Sequence, residues 1–329
     1  LKLAGVPQGI RSPSRPANLA GCGAWASMAP GLEEAAVAWS RSLNLFSGAA
    51  AVLGEGAGVL PLILISASIW LAVQFSMVPL LRLVAPSYVQ AVERVASEKA
   101  KESNRETPEV AVKSAMNDIG VRSCAFIFST ILSYGALVLT LNPPPEFVKD
   151  PDFGSTAYAT FYCALAAGYF VWDLPITVIF GYGGGFLMHA IGCLSVEVIG
   201  LHPFAQDVVT FAHLFELSTP FLNARLLMIA SGHTNSVFFK FCEAGFALVF
   251  FCVRILYGFA KSFAFARRVV VDLLSGDTQV VARKGAAFVP IAVLAVVLCV
   301  ALCGLNAFWF SKIIKMATGK KGSKHKKVE

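Results

Sequence analysis

Long apolar runs alternate with short polar segments along most of the chain, and this pattern predicts membrane-spanning helices. Stretches of about 20 residues, the length that an α-helix needs to cross the hydrocarbon core, recur along the sequence. The predicted spans cover residues 58–81, 119–141, 155–172, 175–201, 208–231, 236–260 and 287–311. Their apolar residues are continuous and do not alternate, so the pattern favours an all-α, polytopic membrane helical bundle over a β-barrel.

The segments between the spans divide the chain into four predicted parts. They are an N-terminal tail that is disordered or interfacial, a first transmembrane helix with a charged cytosolic connector, a domain of six transmembrane helices, and a basic cytosolic tail: residues 1–57, 58–118, 119–315 and 316–329. The alternating charges of the connector predict a solvated helix. The sequence leaves open whether residues 1–27 belong to the mature protein, with Met28 as an alternative start.

The composition supports the membrane class. Of the 329 residues, 56% are hydrophobic and only 14% are charged, and the mean hydropathy is +0.67. A soluble globular domain is about 25% charged. The net charge of +7 comes largely from the tail Lys312–Glu329, which holds seven lysines, so it does not predict a nucleic-acid partner.

The sequence predicts no cofactor and no metal. Its eight cysteines lie mostly in apolar spans, where a free thiol behaves as a small hydrophobic group. Cys299 and Cys303 share a helix face, a spacing that is typical of packing more often than of metal binding. The chain has no spacing typical of a zinc site, and the Gly181–Gly185 run lacks the strand and the Lys-Ser/Thr of a nucleotide-binding loop.

The charges of the loops predict a topology with one inconsistency. The Lys-rich tail favours a cytoplasmic C-terminus, and seven spans then put the N-terminus on the opposite side. The connector 82–118 becomes cytoplasmic, and the acidic loop 142–154 becomes luminal. The basic segment 261–285 would also be luminal, which contradicts the positive-inside rule.

The C-terminus ends in a candidate sorting signal. Lys326 and Lys327 lie three and two residues before the final Glu329, and this pattern resembles the dilysine retrieval signal of endoplasmic reticulum (ER) membrane proteins. We therefore expect an integral membrane protein of the ER, with recognition of the tail by a coat protein. The alternative is a solvated basic tail that binds anionic lipid headgroups.

Several polar side chains lie in the fifth predicted span. At about 100° per residue, His213, Glu216, Pro220 and Asn223 share one face of a helix. A charge in hydrocarbon costs about 2.5 kcal/mol or more, so these groups are expected to face a protein interior or a water-filled cavity. Pro220 also removes a helical hydrogen bond to Glu216. The polar face is either the lining of a lipid cavity or a structural network in which His213 bonds to Glu216.

Three further polar residues belong to other spans. Asp173 either marks the start of the fourth span, beside Pro175, or lies at the mouth of a cavity. His189 is either a packing residue or a proton-transfer group, which would need a nearby carboxylate. Arg254 either extends to the membrane interface or pairs with a carboxylate of a neighbouring helix.

These residues together resemble the TLC domain family, which includes Lag-type ceramide synthases and translocating-chain-associated membrane proteins. The resemblance covers about residues 119–315 and is carried by four segments: Gly168–Asp173, Glu216–Arg225, Phe250–Arg254 and Leu305–Trp309. It is strongest to the TLC-domain-containing branch. It implies a bundle of six helices around a central cavity open to lipid, with one extra helix before it.

The sequence also departs from the ceramide synthases. Their catalytic histidine pair is represented only by His189 within Met188–Ile191. The synthases' acidic signature is absent, because Glu216-Leu-Ser-Thr-Pro220 stands there. The resemblance therefore does not imply acyl transfer by the synthase mechanism.

We expect a lipid-binding or lipid-handling protein that influences membrane lipid composition, with Asp173, His213, Glu216, Asn223 and Arg254 as polar cavity groups. One alternative is a sphingolipid-type acyltransferase that uses His189 as a base and acyl-CoA as donor. Another is an accessory factor for cargo or protein translocation. The sequence leans against an enzyme but does not decide the question. It identifies neither the lipid nor the oligomeric state.

Overall fold

The computed structural model describes residues 58–104, 106–202 and 204–319, and every regular element in these ranges is a helix. Twelve α-helices follow one another in this part of the chain: α1 Leu60–Val84, α2 Pro86–Ser103, α3 Pro108–Leu141, α4 Pro145–Lys149, α5 Ala157–Ile179, α6 Gly184–Gly200, α7 Gln206–Ala212, α8 Thr219–Ala230, α9 Val237–Phe250, α10 Gly258–Leu274, α11 Gln279–Lys284 and α12 Val289–Gly319. The predicted tail 1–57, with Met28, and the lysines Lys326 and Lys327 lie outside the described residues.

The all-α membrane fold is confirmed. In the described part of the chain, four helices are long and apolar enough to cross a membrane, namely α1, α3, α5 and α12, and α6 is apolar but shorter. The fifth and sixth predicted spans are helical too, but each is interrupted. A 3-10 helix, His213–Ser218, joins α7 to α8, and a π-helix, Phe251–Tyr257, joins α9 to α10.

The ends of several helices follow from single residues. Pro86 and Pro108 begin α2 and α3. Proline has no N–H group, and the first turn of a helix has no carbonyl acceptor for one, so no hydrogen bond is lost at this position. Thr156 caps α5 by accepting a hydrogen bond from the Ala159 N–H at 3.1 Å, which satisfies a free donor of the first turn.

The connector is a packed helix and not only a solvated one. After Arg82, α2 runs to Ser103, and Asn104 ends it in the left-handed conformation with φ 51°. Val89 and Val92 of α2 are buried against α3. The predicted boundary at residues 118–119 falls inside α3, because the first three turns of this helix belong to the same continuous element as the second span.

A tyrosine ties the connector to the main bundle. The Tyr88 hydroxyl of α2 donates a hydrogen bond to the Leu227 carbonyl of α8 at 3.1 Å. Burial, with a smaller contribution from the charge of Asp118, raises the pKa of Tyr88 to about 12. The hydroxyl therefore keeps its proton and remains a donor at neutral pH.

The predicted boundary between the third and fourth spans is wrong. We expected a break near Trp172–Pro175, but α5 continues through Pro175 to Ile179. The break comes at Gly181 and Gly183, whose φ angles of +63° and +99° suit glycine. The proline interrupts one hydrogen bond without ending the helix. Asp173 consequently lies inside α5 and not at the start of a helix.

Aromatic side chains hold α1, α3 and α5 together. Trp70 of α1 packs edge-on against Phe128 of α3 and Tyr169 of α5, with ring centroids 5.7 and 5.6 Å apart. Phe128 and Tyr169 stack on each other. At Gly168, α5 lies so close to α1 that a Cβ atom would stand 2.5 Å from the Ile63 carbonyl oxygen. Large rings and one small residue thus set the spacing of these three helices.

Two ion pairs join the acidic loop to the basic segment that contradicts the positive-inside rule. Arg268 of α10 pairs with Asp152 at 2.8 Å, and Arg283 of α11 pairs with Asp150. The acidic loop and the basic segment 261–285 therefore lie at the same end of the bundle, as the predicted topology requires.

A hydrogen-bonded turn closes the basic segment. Asp272 accepts hydrogen bonds from the backbone N–H groups of Gln279 and Val280 and from the Thr278 hydroxyl. Desolvation alone would raise the pKa of Asp272, but these three donors outweigh it and lower the pKa below its usual value. The ionised carboxylate fixes the start of α11 at neutral pH.

Candidate functional site

Five polar side chains from five elements form a group that we call the central polar cluster: Asp173, His189, Glu216, Arg254 and Asn306. Arg254 is its centre. Its Nε donates to the Phe215 carbonyl at 2.8 Å, and its Nη2 lies 3.4 Å from Glu216 Oε1. Its Nη1 donates to Asn306 Oδ1 at 3.4 Å. The arginine therefore pairs with a carboxylate of a neighbouring helix and does not extend to the interface.

The π-helix explains how Arg254 reaches this position. A π-helical turn inserts an extra residue and turns the side chains that follow. The Arg254 side chain is only 6% exposed, and Thr219 at the start of α8 accepts a further hydrogen bond from it at 3.2 Å. Almost every donor direction of the guanidinium is occupied, so the charge is well compensated inside the bundle.

The two carboxylates of the cluster differ in whether a cation offsets their negative charge. Glu216 has the ion pair with Arg254, whereas Asp173 makes no ion pair within the described residues. Electrostatic interactions nevertheless connect Glu216 with both Asp173 and His189. Asp173, His189 and Glu216 are only half-buried. The cluster therefore contains one well-compensated pair and one acid that has no cationic partner within the described residues.

His189 has mainly aromatic neighbours. Its ring centroid lies 5.3 Å from that of Trp309 and 6.0 Å from that of Phe170. Its Nδ1 is 3.5 Å from Cys193 Sγ. Within the described residues, no carboxylate is in hydrogen-bond distance of this imidazole, which is the contact that a general base would need.

His213 and Glu216 do not form the predicted pair. The His213 Nε2 lies 3.0 Å from both carboxylate oxygens of Glu197, which belongs to α6. Asn223 donates to the Thr219 carbonyl of its own helix at 3.1 Å and does not join the cluster. The predicted polar face is therefore divided among three separate sets of partners.

Glu197 is the residue that the sequence reasoning missed as a site residue. A carboxylate in an apolar helix is a signal that could have identified it. Its pairing with His213 could not be read from the sequence, because the turn between α6 and α7 brings the two side chains together. Both are nearly fully buried, with exposed fractions of 4% and 3%.

A cavity of about 590 Å³ lies between α1, α2 and α3, and no residue of the central polar cluster lines it. Phe75, Val78 and Met116 give it an apolar wall, and Arg82 and Lys113 are its basic residues. Gln74 also lines it and accepts a hydrogen bond from Trp172 Nε1 at 3.0 Å. This bond connects the wall of the cavity with the segment of α5 that carries Asp173. The residues of the predicted cavity set do not line this cavity.

The fold and the central polar cluster together define the class of the protein. It is an integral membrane protein with ionisable groups inside an apolar helical bundle. The family model of the TLC domain (TRAM_LAG1_CLN8) matches residues 118–315. The chain belongs to the TLC domain family, and the expectation drawn from its motifs is confirmed.

The relatives agree with this assignment. An uncharacterized TLC domain-containing protein of Schizosaccharomyces pombe is 35% identical over 152 residues, which are 44% of this chain and 52% of the relative. Topoisomerase I damage affected protein 4 of Saccharomyces cerevisiae is 30% identical over 211 residues, which are 61% of this chain and 69% of that one. An uncharacterized TLC domain-containing protein of Saccharomyces cerevisiae is 28% identical, with coverages of 65% and 69%.

These comparisons identify a family and not an activity. The chain spans about half of the length of the Schizosaccharomyces pombe relative. None of the three relatives is named as a ceramide synthase. No solved structure matches the chain significantly.

Proposed function

We propose that this protein binds a membrane lipid through the central polar cluster and thereby influences membrane lipid composition. The observation that carries the proposal is the half-buried residue Asp173, whose carboxylate lies inside an apolar bundle without an ion pair in the described part of the chain. Ionisable groups are costly at membrane depth and are functional by default. A bound polar group would offset this cost.

The charges of the cluster favour a particular kind of headgroup. Asp173 and Glu216 together bring two carboxylates against the single guanidinium of Arg254, so the cluster has an excess of one negative charge when both acids are ionised. A lipid headgroup with an ammonium or another hydrogen-bond donor complements Asp173. Its acyl chains would remain among the apolar side chains of the bundle, so one site serves both parts of the molecule.

The cavity between α1, α2 and α3 offers room for part of a lipid, and a hydrogen bond links its wall to the residue next to Asp173. Its volume of about 590 Å³ falls in the range of about 300–1,000 Å³ of small-molecule sites. The Gln74–Trp172 hydrogen bond joins its wall to the helix of Asp173. We propose this cavity as the place where part of the lipid enters the bundle.

Replacing Asp173 with asparagine tests the proposal. We expect the lipid that co-purifies with the full chain to decrease about tenfold, because a hydrogen bond to a charged group contributes about 1.5 kcal/mol and 1.4 kcal/mol is a factor of ten. The measurement is mass spectrometry of lipids extracted from the purified protein. The matched control is Glu243→Gln on α9, a carboxylate that pairs with Arg225 at 3.3 Å outside the cluster.

The outcomes of this test are distinct. Loss of a specific lipid in Asp173→Asn and its retention in Glu243→Gln support the proposal. Equal lipid profiles in all three proteins contradict it and favour the alternative of an accessory factor for cargo or translocation. Because Asp173 makes no ion pair with any described residue, the substitution should leave the elution volume in size-exclusion chromatography unchanged.

The acyltransferase alternative has less support. It requires a carboxylate beside His189, and the neighbours of this imidazole are Cys193, Phe170 and Trp309. We expect the purified chain to show no N-acylation of a long-chain base with acyl-CoA, and His189→Ala to change nothing. Acylation by the parent chain that disappears in His189→Ala would overturn this expectation.

The proposed location is the ER. It rests on Lys326 and Lys327, which resemble a retrieval signal recognised by a coat protein. ER residence would place the protein where most membrane lipid is made, in agreement with a role in lipid composition.

A further inference from the structure

We propose that Cys163, Glu197 and His213 form a zinc site in the interior of the bundle. One ligand atom from each residue, the thiol sulfur, a carboxylate oxygen and an imidazole nitrogen, lies within 4.8 Å of the other two. Cysteine, histidine and carboxylate side chains are the ligands that zinc takes in proteins. The sequence spacing predicted no metal site, because the three residues are far apart along the chain.

Three different elements bring the ligands together. Cys163 belongs to α5, Glu197 to α6 and His213 to the 3-10 helix. Gly200, at the end of α6, makes the approach possible: a Cβ atom there would stand 3.0 Å from the Cys163 sulfur. The glycine thus allows α6 to lie directly against the thiol.

The three side chains are buried, and a buried ionised group is costly unless an opposite charge balances it. The exposed fractions are 0% for Cys163, 4% for Glu197 and 3% for His213. Apolar residues such as Leu201 and Val209 pack around the thiol. An ionised carboxylate in such surroundings is strongly disfavoured without compensation.

A zinc ion would balance the negative charges of the Cys163 thiolate and the Glu197 carboxylate completely. On binding, the Cys163 thiol loses its proton to solvent, and the thiolate and the Glu197 carboxylate contribute two negative charges against the two positive charges of the ion. The neutral imidazole of His213 donates its Nε2 lone pair. The three residues and the ion are then neutral together, which is the favourable state in an apolar interior.

The alternative is a purely hydrogen-bonded group. In that arrangement Glu197 accepts hydrogen bonds from His213 and from the Cys163 thiol. The His213 Nδ1 is buried without a hydrogen-bond partner in the described residues. Because zinc would also bind the Nε2 atom, the Nδ1 atom stays unpaired in both arrangements and does not distinguish them. The two arrangements differ in one measurable property, the bound metal.

The test is the metal content of the full chain, purified with an affinity tag that contains no histidine and equilibrated with zinc before removal of free ions. We expect close to one equivalent of zinc by inductively coupled plasma mass spectrometry. Cys163→Ser and His213→Gln should lose most of it. The matched controls Cys193→Ser and His189→Gln, one helical turn apart on α6 and outside the site, should retain it.

A spectroscopic measurement separates loss of metal from loss of structure. Cobalt bound in place of zinc should give a thiolate-to-metal charge-transfer band that is absent in Cys163→Ser, while Glu197→Gln should weaken binding of either metal. A parent chain that holds no zinc after equilibration overturns the proposal. Zinc that persists unchanged in Cys163→Ser and His213→Gln also overturns it, because the metal then lies elsewhere.

The zinc inference does not depend on lipid binding. Asp173→Asn should reduce co-purifying lipid without changing the metal content, because Asp173 is not a ligand. A protein with zinc and no bound lipid would refute only the proposed function, and one with lipid and no zinc would refute only the metal site.

Discussion

Arg254→Met should destabilise the folded protein by about 3–5 kcal/mol, the cost of removing one partner from a buried ion pair. The substitution leaves the Glu216 carboxylate uncompensated in a place where its side chain is 13% exposed. It also removes the donor that satisfies the Phe215 carbonyl and the Asn306 amide oxygen. The measurement is the midpoint of thermal unfolding of the detergent-purified chain, followed by size-exclusion chromatography after heating.

A matched control is available in the same chain. Arg225 pairs with Glu243 at 3.3 Å, but its side chain is only half-buried at 18% and that of Glu243 is exposed at 40%. Ion pairs near the surface contribute about 0–1 kcal/mol. Arg225→Met should therefore shift the midpoint only slightly. Equal shifts for the two variants would contradict the central role that we assign to Arg254.

A double variant distinguishes an unpaired charge from lost packing. When Glu216→Leu is combined with Arg254→Met, both charges are gone, and replacement of a buried ion pair by apolar residues is often neutral. The double variant should be more stable than Arg254→Met alone. If it is less stable, the hydrogen bonds to Phe215 and Asn306 contribute more than the charge does.

The long apolar helices could be predicted from the sequence because burial in lipid requires a continuous run of apolar side chains. Helices α1, α3 and α12 contain the predicted spans almost completely. α1 and α12 end three and eight residues beyond the predicted ends, whereas α3 ends as predicted and begins eleven residues earlier. The end of α5 could not be predicted, since Pro175 is compatible both with a helix boundary and with a helix interior. The 3-10 and π-helices have no periodic signature, because tertiary contacts of Arg254 and His213 stabilise them.

Some members of the central polar cluster could be predicted from the sequence, but Asn306 and the pairing of the side chains could not. An ionisable residue in an apolar span is visible in the sequence, and Asp173, Glu216 and Arg254 were found in this way. Which carboxylate faces which cation depends on the crossing of helices that are distant in the sequence. His213 illustrates the difference, since helical spacing assigned it to Glu216 and the fold assigns it to Glu197.

Gly168→Ala should separate α1 from α5 and destabilise the bundle by about 1–3 kcal/mol, the usual cost of overpacking a tight interior. The new methyl group would contact the Ser66 side chain and stand 2.5 Å from the Ile63 carbonyl oxygen. A flexible side chain could move aside, but the carbonyl belongs to the backbone of α1. The whole helix must therefore shift, and the edge-on contacts of Trp70 with Phe128 and Tyr169 would weaken with it.

Gly304→Ala on α12 is the matched control, because a Cβ atom at Gly304 would meet nothing within 4 Å. Alanine is favoured over glycine in a helix by about 1 kcal/mol, so this variant should be as stable as the parent chain or slightly more stable. The same thermal midpoint measures both variants, and tryptophan fluorescence of Trp70 in a chain without other tryptophans reports the shift of α1 directly. A Gly168→Ala variant with an unchanged midpoint would mean that α1 does not pack on α5 through this glycine, and the arrangement of the preceding helix on the TLC domain would then be wrong.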